Sequence, residues 1–131
     1  LITIRVKKML FCTSIHCMDG RIQEPIIKYL KENYSVTYVD TITEPVPCRI
    51  LAENDDMISV NSIMERTELS IDIHGSKLIA ISGHSDCAGN PWNEEIQKKQ
   101  IKESVKYLKN KYPQLKIIGL WIDNNWKIHN V

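Results

Sequence analysis

No stretch of this 131-residue chain approaches the ~20 consecutive apolar residues that a bilayer-crossing helix needs, and residues 1–9 lack the hydrophobic segment of a secretory signal. The expectation is a cytoplasmic protein with no membrane partner. Nor is there a basic block: 17 Lys and Arg stand against 16 Asp and Glu, a formal charge of +1, with the lysines spread along amphipathic segments. Nucleic acid is therefore not an expected partner. The chain holds only four cysteines and no internal repeat or low-complexity segment. Cys12 and Cys17, five positions apart along a strand, would be separated by ~17 Å, far beyond disulfide reach. A disulfide framework is not needed either, because a chain of this length buries about two-thirds of its unfolded surface in one continuous core. Residues 1–131 read as a single domain, and the cysteines as thiols or metal ligands.

What is present alternates between two periodicities. Met9–His16 and Lys77–Ser82 are short apolar runs that read as buried strands, joined by Val36–Asp40 and Leu115–Ile122. From Arg21 to about Asn33 the pattern is helical, with Ile22, Ile26, Ile27 and Leu30 on one face and Lys28, Lys31 and Glu32 on the other. A second helix starts near Met57, capped by Asp55 or Asp56 and ended by His74-Gly75. A third starts at Asn90-Pro91 and runs to Tyr112, with Glu94 and Glu95 near its positive end and Lys109 and Lys111 near its negative end. Thr43–Pro47, with two prolines, reads as a stiff loop, Ile50–Ala52 as a short strand or turn, and Trp126–Ile128 as a hairpin strand after Asp123-Asn124-Asn125. Residues 1–8 fit either an arm or a strand added to a partner. The fold class is α/β: a mainly parallel sheet of about four strands plus the hairpin strand, with helices on its faces.

Two strands run straight into residues that carry chemistry. Cys17-Met18-Asp19-Gly20-Arg21 follows the first, and His84-Ser85-Asp86-Cys87 follows the third. Two thiolates and one imidazole form a set that zinc takes readily, with one position left for water or another side chain. In a parallel sheet such residues meet beyond the carboxyl ends of neighbouring strands, so the 67 positions between Cys17 and His84 are no obstacle. An extended Cys17–Arg21 segment would also place residues 17, 19 and 21 on one side.

C-x-D-x-R after the first strand and H-x-x-C after a later one resemble the β-class carbonic anhydrases, over roughly Met9 to Ile122, and the chain is similar to a short, divergent member. The resemblance implies one Zn²⁺ per chain bound by Cys17, His84 and Cys87. It also implies an Asp19–Arg21 dyad in which Arg21 holds the Asp19 carboxylate, and Asp19 orients a zinc-bound water. The implied reaction is reversible hydration of carbon dioxide to bicarbonate by zinc hydroxide, with a linear analogue such as carbonyl sulfide open to the same attack. The implied assembly is a homodimer or higher homo-oligomer. The alternative is a non-catalytic zinc-binding relative in which Asp19 becomes the fourth ligand and closes the metal site. The chain departs from the family pattern in two places: Thr41–Pro47 stands where the family has Arg-Asn-Ala-Gly-Asn, and Ala88-Gly89 follows Cys87. Glu44, near the expected mouth, would disfavour an anionic product.

Other candidates read as structural. His16 faces away from Cys17 on an extended strand, and Cys12 and Cys48 suit a core. Trp92, Trp121 and Trp126 suit core or subunit contacts, whereas Asp86 fits either a hydrogen bond near the metal or a turn. A cysteine-phosphatase loop is disfavoured, because only three residues separate Cys17 from Arg21 and Asp19 would repel phosphate.

Overall fold

The computed structural model describes residues 10–90 and 93–131. Its elements are β1 (Phe11–Cys17), α1 (Gly20–Tyr34), β2 (Tyr38–Glu44), α2 (Pro47–Glu53), α3 (Met57–Asp72), β3 (Leu78–His84), α4 (Glu94–Lys111), β4 (Lys116–Ile122) and β5 (Ile128–Asn130). They form a five-stranded sheet in the order β2-β1-β3-β4-β5, parallel except for the final antiparallel pair. The α/β expectation of parallel strands with a C-terminal hairpin strand holds. Residues 1–8, which read as an arm or a partner strand, lie outside the described residues, as do Met9 at the start of the first expected strand, Pro91 and Trp92.

Helix α1 packs on one face, over β2 and β5, and α2, α3 and α4 pack on the other, over β1, β3 and β4. That split follows from the winding. The crossover from β1 moves outward to β2, those toward β3 and β4 run the opposite way, and right-handed crossovers in opposite directions put their helices on opposite faces. The direction reverses between β1 and β3, and in α/β sheets it is beyond the carboxyl ends of such strands that ligands bind. The core is centred on these two strands. All seven residues of β3 are buried, with Ile15, Ile22, Ile63, Ile101, Leu108 and Leu120 fully enclosed around them. Each such Ile or Leu contributes about 1.5–3 kcal/mol relative to exposure.

Several boundaries differ from the sequence expectation. Strand β2 is not Val36–Asp40 but runs on to Glu44, paired with β1 along its whole length. It is an edge strand in which only Ile42 is buried, so no apolar run marks it. Ile50–Ala52 is neither strand nor turn but part of α2, which starts at Pro47 because proline suits the first helical position. Helix α4 is capped not by Asn90 but by Asn93, whose side chain accepts a hydrogen bond from the Ile96 N–H, with Glu94 and Glu95 in the first turn. Trp126 is not in the hairpin strand. It sits in the turn at φ 62°, and β5 begins at Ile128. Asp123 holds that turn by accepting from the Asn125 and Lys127 N–H groups and pairing with His129.

Candidate metal centre

Cys17 and His84 are the last residues of β1 and β3. The last paired residues between these strands are Ile15 and Ile81, so both chains reach the rim of the sheet together. The His84–Cys87 loop is tied down on two sides. Ser85 N–H donates to the Ile122 carbonyl of β4, and the Asn90 side chain donates to Gln100 on α4 at 2.7 Å. Asp86 takes the turn in a left-handed conformation, φ 55°. The loop brings Cys87 back over the strand ends, where its sulfur lies 3.9 Å from that of Cys17.

One ligand atom each from Cys17, His84 and Cys87 lies within 4.8 Å of the others, and all three residues are buried. A 3.9 Å separation is too long for a disulfide, and both thiols are free. It suits two sulfurs on one tetrahedral zinc, which at ~2.3 Å from the metal stand ~3.8 Å apart. The imidazole gives the second indication. His84 Nδ1 is 2.7 Å from the Ser85 carbonyl oxygen, to which it donates, leaving the lone pair on Nε2. That Nε2 is buried and has no hydrogen-bond partner. A buried unpaired acceptor is costly unless a ligand takes it up, and a backbone carbonyl on the opposite nitrogen is a common support of a metal-binding histidine. The donor set fits zinc.

The two sulfurs cannot both lose their protons cheaply in the bare site. The close pair favours one shared proton, with the thiolate on Cys17: the Cys87 sulfur pushes the Cys17 pKa down against the effect of burial, and the His84 imidazole and the Val46 and Asp19 N–H groups add to that shift. Cys87 is pushed the other way, first by the Cys17 thiolate and then by burial, while the Gly89 and Asn90 N–H groups oppose the shift. Burial lowers the His84 pKa, but the Cys17 sulfur and the Ser85 carbonyl outweigh it and the net shift is upward.

Asp19 and Arg21 are brought together by a helix start rather than by an extended segment. Asp19 is the N-cap of α1, and its Oδ1 accepts from the Arg21 backbone N–H at 2.9 Å. The Arg21 guanidinium then closes on the same carboxylate, with Nη2 2.6 Å from Oδ2 and Nε 3.1 Å from Oδ1. This clasp holds the Asp19 pKa at about 2, so the group is ionised throughout the neutral range. Arg21 also donates to the Asp86 carboxylate and carbonyl, each at 3.2 Å, and lies 5.2 Å from the ring centroid of Trp126. One guanidinium therefore links the two motif loops. Asp86 is a partner of Arg21, the loop role open to it from sequence.

The residues set aside as structural are so placed. Cys12 and Cys48 are buried, and burial pushes both thiols up to about 12. His16 faces away from the sulfurs, fully enclosed beside Ser14 and Gln23. His74 stacks on Phe11 and pairs with Asp40. Glu44 is engaged by Arg66 of α3, so its charge is compensated rather than aimed at the mouth of the site. The residues missed from sequence are Val46, Gly89, Asn90 and Gln23. The first three act on the sulfurs through backbone N–H groups, which no side-chain pattern reports.

Over residues 7–131 the chain matches a family model described as "Putative carbonic anhydrase". The chain belongs to this family. Among solved structures, a tetrameric β-carbonic anhydrase of Sordaria macrospora is similar at 15% identity and a TM-score of 0.58, covering 95% of this chain and 82% of that one. The β-carbonic anhydrase CafA of Aspergillus fumigatus is similar at 16% identity and a TM-score of 0.57, covering 95% of this chain and 76% of that one. At these identities the likeness is one of fold, and the fold is that of the β-carbonic anhydrases. No curated protein matches the chain in sequence. Among the described residues no helix is long and apolar enough to cross a membrane.

Proposed function

We propose that this carbonic-anhydrase family member is a zinc-dependent enzyme of the β type that interconverts carbon dioxide and bicarbonate, with one Zn²⁺ per chain. The observation that carries the reading is the buried, unpartnered Nε2 of His84 set beside two thiol sulfurs at zinc-like spacing, with Asp19 held back by Arg21. Cys17, His84 and Cys87 would hold the metal. Bound there, zinc would supply a Lewis acid that makes water nucleophilic near neutral pH. Asp19, ionised in the neutral range, would accept the hydrogen bond of a water held there, and Arg21 holds that carboxylate by its bidentate pair. The buried rim of β1 and β3 excludes bulk water around the sulfurs.

The non-catalytic alternative needs Asp19 to leave Arg21 and become the fourth ligand. That movement breaks a bidentate, charge-assisted pair and the N-cap of α1, each a favourable interaction, so the open arrangement is the better reading. A homodimer or higher oligomer in the cytoplasm is part of the proposal. Its support is the tetrameric Sordaria structure, the place of β2 at the edge of the sheet among the described residues and the part-exposed Trp126.

The test is hydration of carbon dioxide by the zinc-loaded chain, followed by stopped flow with a pH indicator between pH 7 and 9. Acceleration proportional to bound zinc is expected. A chain that holds one zinc and gives no acceleration anywhere in that range would overturn the assignment as an enzyme.

A further inference from the structure

Strand β1 meets helix α1 at a corner only three residues long, Cys17-Met18-Asp19, and that corner carries both a metal-site thiol and the clasped carboxylate. A tight corner aims its side chains only if its backbone carbonyls are held. Two of the three are held by one side chain: the Gln23 amide nitrogen donates to the Cys17 carbonyl at 2.9 Å and to the Asp19 carbonyl at 2.7 Å. Since two carbonyls face the NH₂ end, the amide oxygen must point the other way, and there it meets His16 Nε2 at 2.7 Å. His16 Nε2 is then the protonated nitrogen, because the amide oxygen is an acceptor only. Nδ1 is left as an acceptor, and Ser14 Oγ lies 2.7 Å from it with a hydroxyl to donate. Ser14 and His16 are fully buried, so no water competes for these positions. Every donor and acceptor along the line has one assignment, which runs from the sheet interior to the metal corner.

We infer that Gln23 is a positioning residue of the metal centre, oriented by His16 in its Nε2–H form and by Ser14, and that it sets the angle at which the Cys17 sulfur and the Asp19 carboxylate are presented. The inference rests on the reading that Cys17 is a zinc ligand. The pattern explains why a histidine stands beside the metal cysteine without binding metal: its second nitrogen is committed to the amide. It also explains how Ser14 and His16 are tolerated as a buried polar line on one face of a central strand, since such a line is stable only when fully paired.

The experiment compares the wild-type chain with Gln23→Met, which keeps length and loses both donors, and with His16→Leu and His16→Gln. Zinc affinity is measured by competition with a chromophoric chelator. Geometry is read from the ligand-field and thiolate-to-metal bands of the cobalt(II)-substituted chain. Gln23→Met and His16→Leu are expected to lower zinc affinity about 10–100-fold and to shift the cobalt bands, as loss of an outer partner of a metal ligand does. His16→Gln, which can still donate to the amide oxygen, should stay within about threefold of wild type with unshifted bands. A merely structural role would lower the melting temperature and leave the cobalt spectrum where it was. If Gln23→Met binds zinc like wild type with the same spectrum, the inference fails. If that variant does not fold, the imidazole ¹⁵N spectrum of the zinc-loaded wild type decides: an Nε2–H His16 supports the assignment, and an Nδ1–H tautomer overturns it. A wild-type chain that takes up no zinc would instead refute the metal reading itself, a result separable from the others.

Discussion

A methyl group added at Gly89 tests how tightly the two segments that depart from the family pattern are locked together. A Cβ at Gly89 would lie 2.4 Å from Val46 Cγ2 and 3.6 Å from Pro45 Cβ, whereas carbon atoms pack at about 3.5–4.0 Å. Roughly 1 Å of movement is thus forced. Val46 cannot easily yield, being buried, β-branched, held at φ 64° and followed by Pro47. Overpacking of this kind costs about 1–3 kcal/mol. The Gly89 backbone is not left-handed, so alanine there also gains roughly 0.4–1 kcal/mol from a less flexible unfolded chain, leaving a net loss between about 0 and about 2.6 kcal/mol. In a chain of this size that lowers Tm by up to about 9 °C. Thermal melting of the metal-free Gly89→Ala chain by circular dichroism measures it. The decisive comparison is the double variant with Val46→Ala, which removes the clashing methyl. It should be more stable than the sum of the two single changes predicts, with a coupling of roughly 1–2 kcal/mol. Strict additivity of the two changes would refute the contact.

Three further outcomes follow from the site. Asp19→Ala should keep one zinc per chain by elemental analysis and lose at least ~100-fold in carbon dioxide hydration; loss of zinc instead would mean that Asp19 is a ligand. Cys87→Ser should purify without stoichiometric zinc and hydrate carbon dioxide no faster than buffer, and retained zinc with full activity would remove Cys87 from the ligand set. Zinc uptake should release protons and tighten as pH rises. The two sulfurs share a proton and the His84 pKa is shifted upward, so protons remain for the metal to displace. More protons per zinc are expected at pH 6 than at pH 8, because His84 takes up its proton as pH falls. Indicator titration in weak buffer measures this, and an affinity flat from pH 6 to 8 would contradict the assignment.

How legible each part was depends on where its physical signal lies. Strand β3 was plain because burial on both faces leaves an unbroken apolar run, and the α1 face was plain from Ile22, Ile26 and Leu30 at helical spacing. Strand β2 was misplaced because an edge strand with one buried residue leaves no such run. The start of α4 was misread because Asn90 and Asn93 both offer a cap. Only tertiary structure shows that the Asn90 side chain is committed to Gln100. The Asp19–Arg21 pair is the one the resemblance implies, but the extended segment expected at Cys17–Arg21 is not what joins them: the corner turns into a helix at Gly20 and pairs them through an N-cap. Motif spacing brought Cys17, His84 and Cys87 to notice, but nothing in a motif reports the Gln23 amide or the backbone donors on the sulfurs.

Those donors bear on a difficulty that the ligand set itself raises. Two thiolates give a zinc ion more negative charge than imidazoles would, which works against an acidic bound water. Here the Cys17 sulfur receives the N–H groups of Val46 and Asp19, and the Cys87 sulfur those of Gly89 and Asn90. Hydrogen bonds to a metal-bound sulfur draw electron density from it and so leave more positive charge on the metal. Val46, left-handed at φ 64°, supplies one of those N–H groups and is also the residue that a side chain at position 89 would strike, so the two departures from the family pattern meet beside the sulfurs, and a change at either should be felt in zinc affinity as well as in the fold.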